Sequence, residues 1–160
     1  MPIIAVALGT NLGDREGHLR AAATALTTLF KDVVFSRIYE SEPVGYPDQP
    51  WFLNQVCLGE TQELPLALLF KFKALEKERG RTTGPRFGPR PLDLDILFYD
   101  QWVMNSTLLT IPHPRLLERS FVIAPLLELA PAWTDPRSGK RLAEVWIANK
   151  ERLSRCFPRT

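Results

Sequence analysis

At 160 residues the chain sits near the ~150-residue scale of one domain, and its 45% hydrophobic and 24% charged residues exclude a disordered or fibrous protein. Twenty Lys and Arg against 18 Asp and Glu leave a net charge of +2, too little for a chain that lives on a nucleic-acid backbone. Cys57, Cys156, His18 and His113 form neither a disulfide framework nor a zinc spacing, so a reduced, zinc-free, cytoplasmic protein is expected.

Ile3 to Leu8 is a short apolar run stopped by Gly9, which reads as a buried first strand rather than a signal peptide. Leu19, Ala22, Ala23, Leu26, Leu29 and Phe30 then recur at helical spacing, with Asn11 or Asp14 available as a cap. Val33 to Tyr39 and Phe52 to Leu58 are rich in β-branched and aromatic residues and predict two strands. The proline-rich stretch from Ser41 to Pro50 between them is too long for a hairpin turn. Pro65 opens a second helix on Leu68, Phe72 and Leu75, ending near Gly80. Gly80 to Pro91, with its glycines and prolines, must be a loop, and Leu92 to Phe98 is again a strand.

That order is β-α-β-β-α-β, which predicts an α+β, ferredoxin-like antiparallel sheet with helices packed on one face. A C-terminal helical and strand extension follows, with a turn at Ile111-Pro112-His113-Pro114, a short helix from Phe121 to Leu129, and a last helix on Leu142, Val145, Trp146 and Leu153. No linker or repeat interrupts residues 1–160, and no apolar run reaches the ~20 residues that span a bilayer.

Leu92-Asp93-Leu94-Asp95-Ile96-Leu97 is the most informative hexapeptide. On a strand, Asp93 and Asp95 share one face with backbones ~6.6 Å apart. Two such carboxylates serve equally as paired strand acids or as ligands to Mg²⁺, which takes one or two carboxylates and completes its shell with water and phosphate. The preceding loop favours the second reading, because Arg81, Arg86 and Arg90 are suited to polyphosphate oxygens. Lys73, Glu76, Thr110, His113, Arg115 and Arg119 would extend a polar rim. Phe52 and Asn54 share a strand face, an aromatic plane beside a carboxamide, and Phe121 is available for the opposite side of a flat heterocycle. No G-x-x-x-x-G-K-[ST] loop, G-x-G-x-x-G or G-x-S-x-G elbow is present. Single-stranded RNA binding by stacking is the competing reading, disfavoured by the balanced charge and the lack of an RNP-type aromatic motif.

Arg86 to Leu97 resembles the signature of the 6-hydroxymethyl-7,8-dihydropterin pyrophosphokinases of folate synthesis. The similarity continues in Ala7 to Gly13, Tyr39 to Gly45, Asp48 to Asn54, and Ile111 to His113 with Arg119 and Phe121. The resemblance implies transfer of pyrophosphate from ATP to the hydroxymethyl oxygen of the pterin, releasing AMP. It implies two Mg²⁺ on Asp93 and Asp95, with Phe52, Asn54, Phe121, Ser41 and Val44 around the pterin. Lys73, Glu76, Arg86, Phe87, Ile96, Thr110, His113 and Arg119 fall where the family holds ATP, and Arg81 and Arg90 match loop arginines that assist transfer. Phe52 stands where tyrosine is common and Phe87 where tryptophan is. A monomer acting on small molecules, with neither nucleic acid nor membrane as partner, is the expectation.

Overall fold

Ile4, Val6 and Leu8 alternate with Ala5 and Ala7 along strand β1 (Ile3–Thr10), so apolar side chains leave both of its faces, as they must in a strand covered on both sides. The computed structural model describes residues 1–43, 48–80 and 90–159. After β1 come α1 (Arg15–Leu29), β2 (Lys31–Phe35), β3 (Tyr39–Ser41), β4 (Phe52–Glu60), α2 (Pro65–Glu78) and β5 (Asp93–Tyr99). A small hairpin of β6 (Met104–Asn105) and β7 (Thr110–Ile111) precedes α3 (Ser120–Leu129), α4 (Leu142–Asn149) and β8 (Cys156–Pro158). The main sheet runs β5-β1-β4-β3-β8, with β2 also on β4, and its pairings are antiparallel. The fold is α+β. Among the described residues, no helix is long and apolar enough to cross a membrane.

Helices α1 and α2 cover one face of the sheet, where Leu19, Leu26, Leu68 and Phe72 meet Ile4, Val6, Leu8 and Leu94. The opposite face is apolar too at Ala5, Val56, Leu97 and Phe98, and α3 and α4 cover it with Val122, Ile123, Leu126 and Leu142. The two helices of the β-α-β-β-α-β core thus lie on one face, and the helices of the C-terminal extension cover the other, because a second apolar face also has to leave water. A register shift where β5 passes Ala5 and Val6 turns both Leu97 and Phe98 toward that second core, and Phe98 stacks on Trp133 at 4.9 Å.

Three local features depart from the sequence expectation. The strand expected over Val33 to Tyr39 is broken into β2 and β3, because the Ser36 hydroxyl, not a backbone carbonyl, accepts from the Val56 amide at 3.0 Å. Asp14, not Asn11, caps α1, accepting from the Gly17 amide at 3.1 Å. The last helix stops at Asn149, and the chain turns so that the Leu153 amide donates to the Asn149 carbonyl at 3.2 Å. Leu153 lies outside the helix but packs in the same core cluster as Leu142, Val145 and Trp146.

Asn11 instead ties three segments together. Its Oδ1 accepts from the Arg90 amide at 2.8 Å, and its Nδ2 donates to Gln49 Oε1 at 2.8 Å and to the Pro50 carbonyl at 3.0 Å. At 1% exposure, these groups have no water to fall back on. Asn11→Ala should therefore lower unfolding stability by about 2 to 4 kcal/mol. A denaturant midpoint unchanged from wild type would show that the junction relaxes without it.

Candidate active site

The antiparallel register decides which side chains meet. Opposite Gly9 stand Asn54 on β4 and Asp93 on β5, and opposite Ala7 stands Asp95. Side chains alternate along a strand, so Phe52 joins Asn54, and the two aspartates join each other, on the face above Ala7 and Gly9. Two strand spacings, about 9 to 10 Å, separate the acid pair from the aromatic and amide pair. The small residues between them leave a floor. A Cβ at Gly9 would lie 3.4 Å from Asn54 Oδ1, so any larger residue there begins to fill it.

This is the face that α3 and α4 cover, and their cover stops short of the aspartates. The uncovered end is a cavity of about 590 Å³, within the size range of small-molecule sites. Asp93, Asp95, Lys73 and Arg90 line it, as do Ser41, Phe52, Asn54, His113, Arg119 and Phe121. Asn54 is buried, and its Nδ2 donates to Ser41 Oγ at 2.7 Å. That bond fixes the orientation of the carboxamide. Arg119 and Phe121 flank the first residue of α3, with the Arg119 guanidinium 5.6 Å from the Phe121 ring centroid. Burial pulls the Arg119 pKa down, while Asp95 and Asp93 hold its charged form in place across the cavity.

Other expected residues lie elsewhere. Glu76 is buried in α2, where its Oε2 accepts from the Leu94 amide at 2.8 Å and its Oε1 lies 3.5 Å from Lys73 Nζ. It thereby satisfies a backbone donor of edge strand β5, between the two aspartates. Ile96 sits in the core on the α1 and α2 face, and Thr110 lies in the small hairpin. Neither lines the cavity. Val44, Arg81, Arg86 and Phe87 fall outside the described residues.

His113 is held by its own backbone amide, which donates to the Leu97 carbonyl at 2.8 Å. Its Nδ1 accepts from the Arg115 amide at 3.1 Å, so the proton of the neutral ring sits on Nε2. Burial, then Arg119 and Arg115, push its pKa down to about 4. An unfolded histidine titrates near 6.5. Below that pH the unfolded chain takes up a proton that the folded ring refuses, so stability is full above pH 6.5 and is lost as pH falls toward about 4. His18, lowered by burial and Arg79, acts in the same direction. The readout is therefore the difference between wild type and His113→Gln in denaturation midpoints at pH 7 and pH 4.5, with the variant losing less. Equal losses in both would contradict the neutral assignment.

Residues 5–131 match the family model described as 7,8-dihydro-6-hydroxymethylpterin-pyrophosphokinase (HPPK). The chain belongs to this family. It is 45% identical over 129 residues to the 2-amino-4-hydroxy-6-hydroxymethyldihydropteridine pyrophosphokinase of Bacillus subtilis, a match covering 78% of this chain and 75% of that one. The enzyme of the same name from Aquifex aeolicus is 40% identical over 90% of both chains. The mitochondrial folate synthesis bifunctional protein of Pisum sativum is 42% identical over 79% of this chain, which spans only 25% of that relative's length. Among solved structures, the HPPK-DHPS of Plasmodium falciparum with pterin and p-hydroxybenzoate aligns over 94% of this chain and 42% of its own. Its TM-score is 0.74 at 14% identity, a likeness of fold.

The family model stops at residue 131, short of part of the cavity wall. Arg152, Leu153 and Ser154 line it from the C-terminal segment, and Glu42 and Glu118 add acids at the rim. Sequence reading gave no sign of these tail residues, whose place depends on where α4 stops. Arg137 was equally hidden. Its guanidinium donates to the carbonyls of Ile111 and Pro112, each at 2.8 Å, and to Asn105 Oδ1 at 2.9 Å, clamping the turn that presents His113.

Proposed function

We propose that this chain transfers pyrophosphate from ATP to the hydroxymethyl group of 6-hydroxymethyl-7,8-dihydropterin in cytoplasmic folate synthesis. It would act as one domain on a ferredoxin-like core. The observation that carries the reading is the division of one sheet face into an acidic end at Asp93 and Asp95 and an aromatic, amide-bearing end at Phe52 and Asn54. A flat heterocycle and a charged polyphosphate meet over Gly9.

Asn54, oriented by Ser41, offers a carboxamide edge to the ring polar atoms, while Phe52 and Phe121 supply its two faces. Asp93 and Asp95 suit Mg²⁺. Among the described residues no group of three or more acids, histidines or cysteines is set to hold a metal, so the carboxylate pair would rely on phosphate and water for the remaining ligands, as Mg²⁺ does. When bound, the metal, expected as two ions, neutralises phosphate charge. Arg119, Lys73 and Arg86 hold the triphosphate, and Arg81 and Arg90 assist its transfer; His113, through Nε2–H, donates to a phosphate oxygen. By resemblance to the family Phe87 is assigned to the nucleotide and Val44 to the pterin, while Glu76, Ile96 and Thr110, which do not line the cavity, would act on the nucleotide only from behind its wall.

In the reaction, the hydroxymethyl oxygen bonds to the β-phosphorus, and the bond from that phosphorus to the oxygen bridging the α-phosphorus breaks. AMP departs and the hydroxyl proton passes to water. Such a transfer needs alignment and charge stabilisation more than a strong base. Incubation with Mg²⁺, ATP and hydroxymethyl-dihydropterin should yield AMP and the pterin diphosphate. ADP as product, or no turnover, would refute the assignment.

A further inference from the structure

Residues 132–159 lie beyond the stretch that matches the family model, yet they reach the cavity and then pair with β3 as β8. Where the two strands begin to pair, the Glu42 amide donates to the Arg155 carbonyl at 3.2 Å, and the Arg155 amide donates to Glu42 Oε1 at 2.8 Å. The Arg155 guanidinium lies over the Trp51 ring, 5.5 Å from its centroid, and Trp51 stacks on Phe157 at 5.7 Å. Ser120 Oγ donates to the Ser154 carbonyl at 2.5 Å, fastening the same segment to the start of α3.

These contacts fall on both sides of one subsite. Glu42 and Trp51 adjoin Ser41 and Phe52, and Ser120 adjoins Phe121. β3 is three residues long and is held between β4 on one side and β8 on the other. The acid pair is on β5, at the other edge of the sheet from β8. We infer that residues 152–157 are a strap that positions the heterocycle subsite, setting the spacing between β3 and α3, with Arg155 and Phe157 as its ties. The inference rests on the pterin reading above and deepens it.

The test uses full-length Arg155→Glu, Phe157→Ala and Arg155→Lys, titrated with hydroxymethylpterin and with a non-hydrolysable ATP analogue, with kcat and KM measured alongside. Arg155→Glu and Phe157→Ala should each weaken pterin binding about fivefold to tenfold. Pterin KM should rise with kcat largely kept, and nucleotide affinity should stay within about twofold. Arg155→Lys should restore most of the pterin affinity. Unchanged pterin affinity in both variants overturns the inference, as does equal loss of both ligands with a collapsed melting temperature. Wild-type protein that binds the nucleotide but no pterin refutes the substrate reading instead.

Discussion

Asp95→Ala should slow pyrophosphate transfer by about a thousandfold or more, the equivalent of losing about 4 kcal/mol of charge stabilisation. Asp95 stands opposite Ala7 and Asp93 opposite Gly9, on the same strand face, so Asp93→Ala should also impair turnover severely, by about a hundredfold or more. Both side chains stand on the partly exposed face of β5, away from the leucines that fill the core. The melting temperature should therefore move by only a few degrees while turnover collapses. Activity is compared at limiting and at saturating Mg²⁺, because a weakened metal site shows its loss at limiting Mg²⁺ and recovers with concentration, so the rates that count against the assignment are those unchanged at both. Near-wild-type rates for either variant would sink the metal assignment.

The parts of the fold that were legible in sequence are those with periodic apolar side chains. The stripe on Leu19, Ala22 and Leu26 became α1, and the alternation around Leu92, Leu94 and Ile96 became β5. Edges were not legible. Ser36 interrupts a strand through its hydroxyl, and β8 exists because the backbone of Glu42 has a partner there; hydrogen bonds of that kind leave no mark in hydropathy. The two aspartates could be placed on one face from spacing alone. That Phe52 and Asn54 lie on that same face depends on the register between β1 and its two neighbours, which no single strand encodes. The positioning roles of Asn11 and Arg137 stayed hidden for a related reason. Both act on backbone groups, and a backbone donor or acceptor has no sequence signature.

If Phe52 and Phe121 clamp a pterin, Phe52→Ala and Phe121→Ala should each weaken its binding by about 1 to 3 kcal/mol, the range measured for nucleobase stacking on aromatic side chains. Both rings line the cavity and are only partly buried, unlike Phe72, which is fully enclosed. A core phenylalanine cut to alanine loses roughly 3 to 5 kcal/mol of stability. The two cavity variants should instead lose little stability, since the removed ring faces the cavity. Asn54→Ala should weaken pterin by a comparable amount, because ring polar atoms would be left without a partner, and it also deprives Ser41 Oγ of its donor. Nucleotide affinity should hardly change, since the acid pair is about two strand spacings away. Titrating each variant with pterin and with an ATP analogue, while following thermal unfolding, separates the possibilities. A selective loss of pterin binding identifies a clamp. Joint loss of both affinities with a collapsed melting temperature would make these rings packing elements, and the substrate assignment would then lose its structural support.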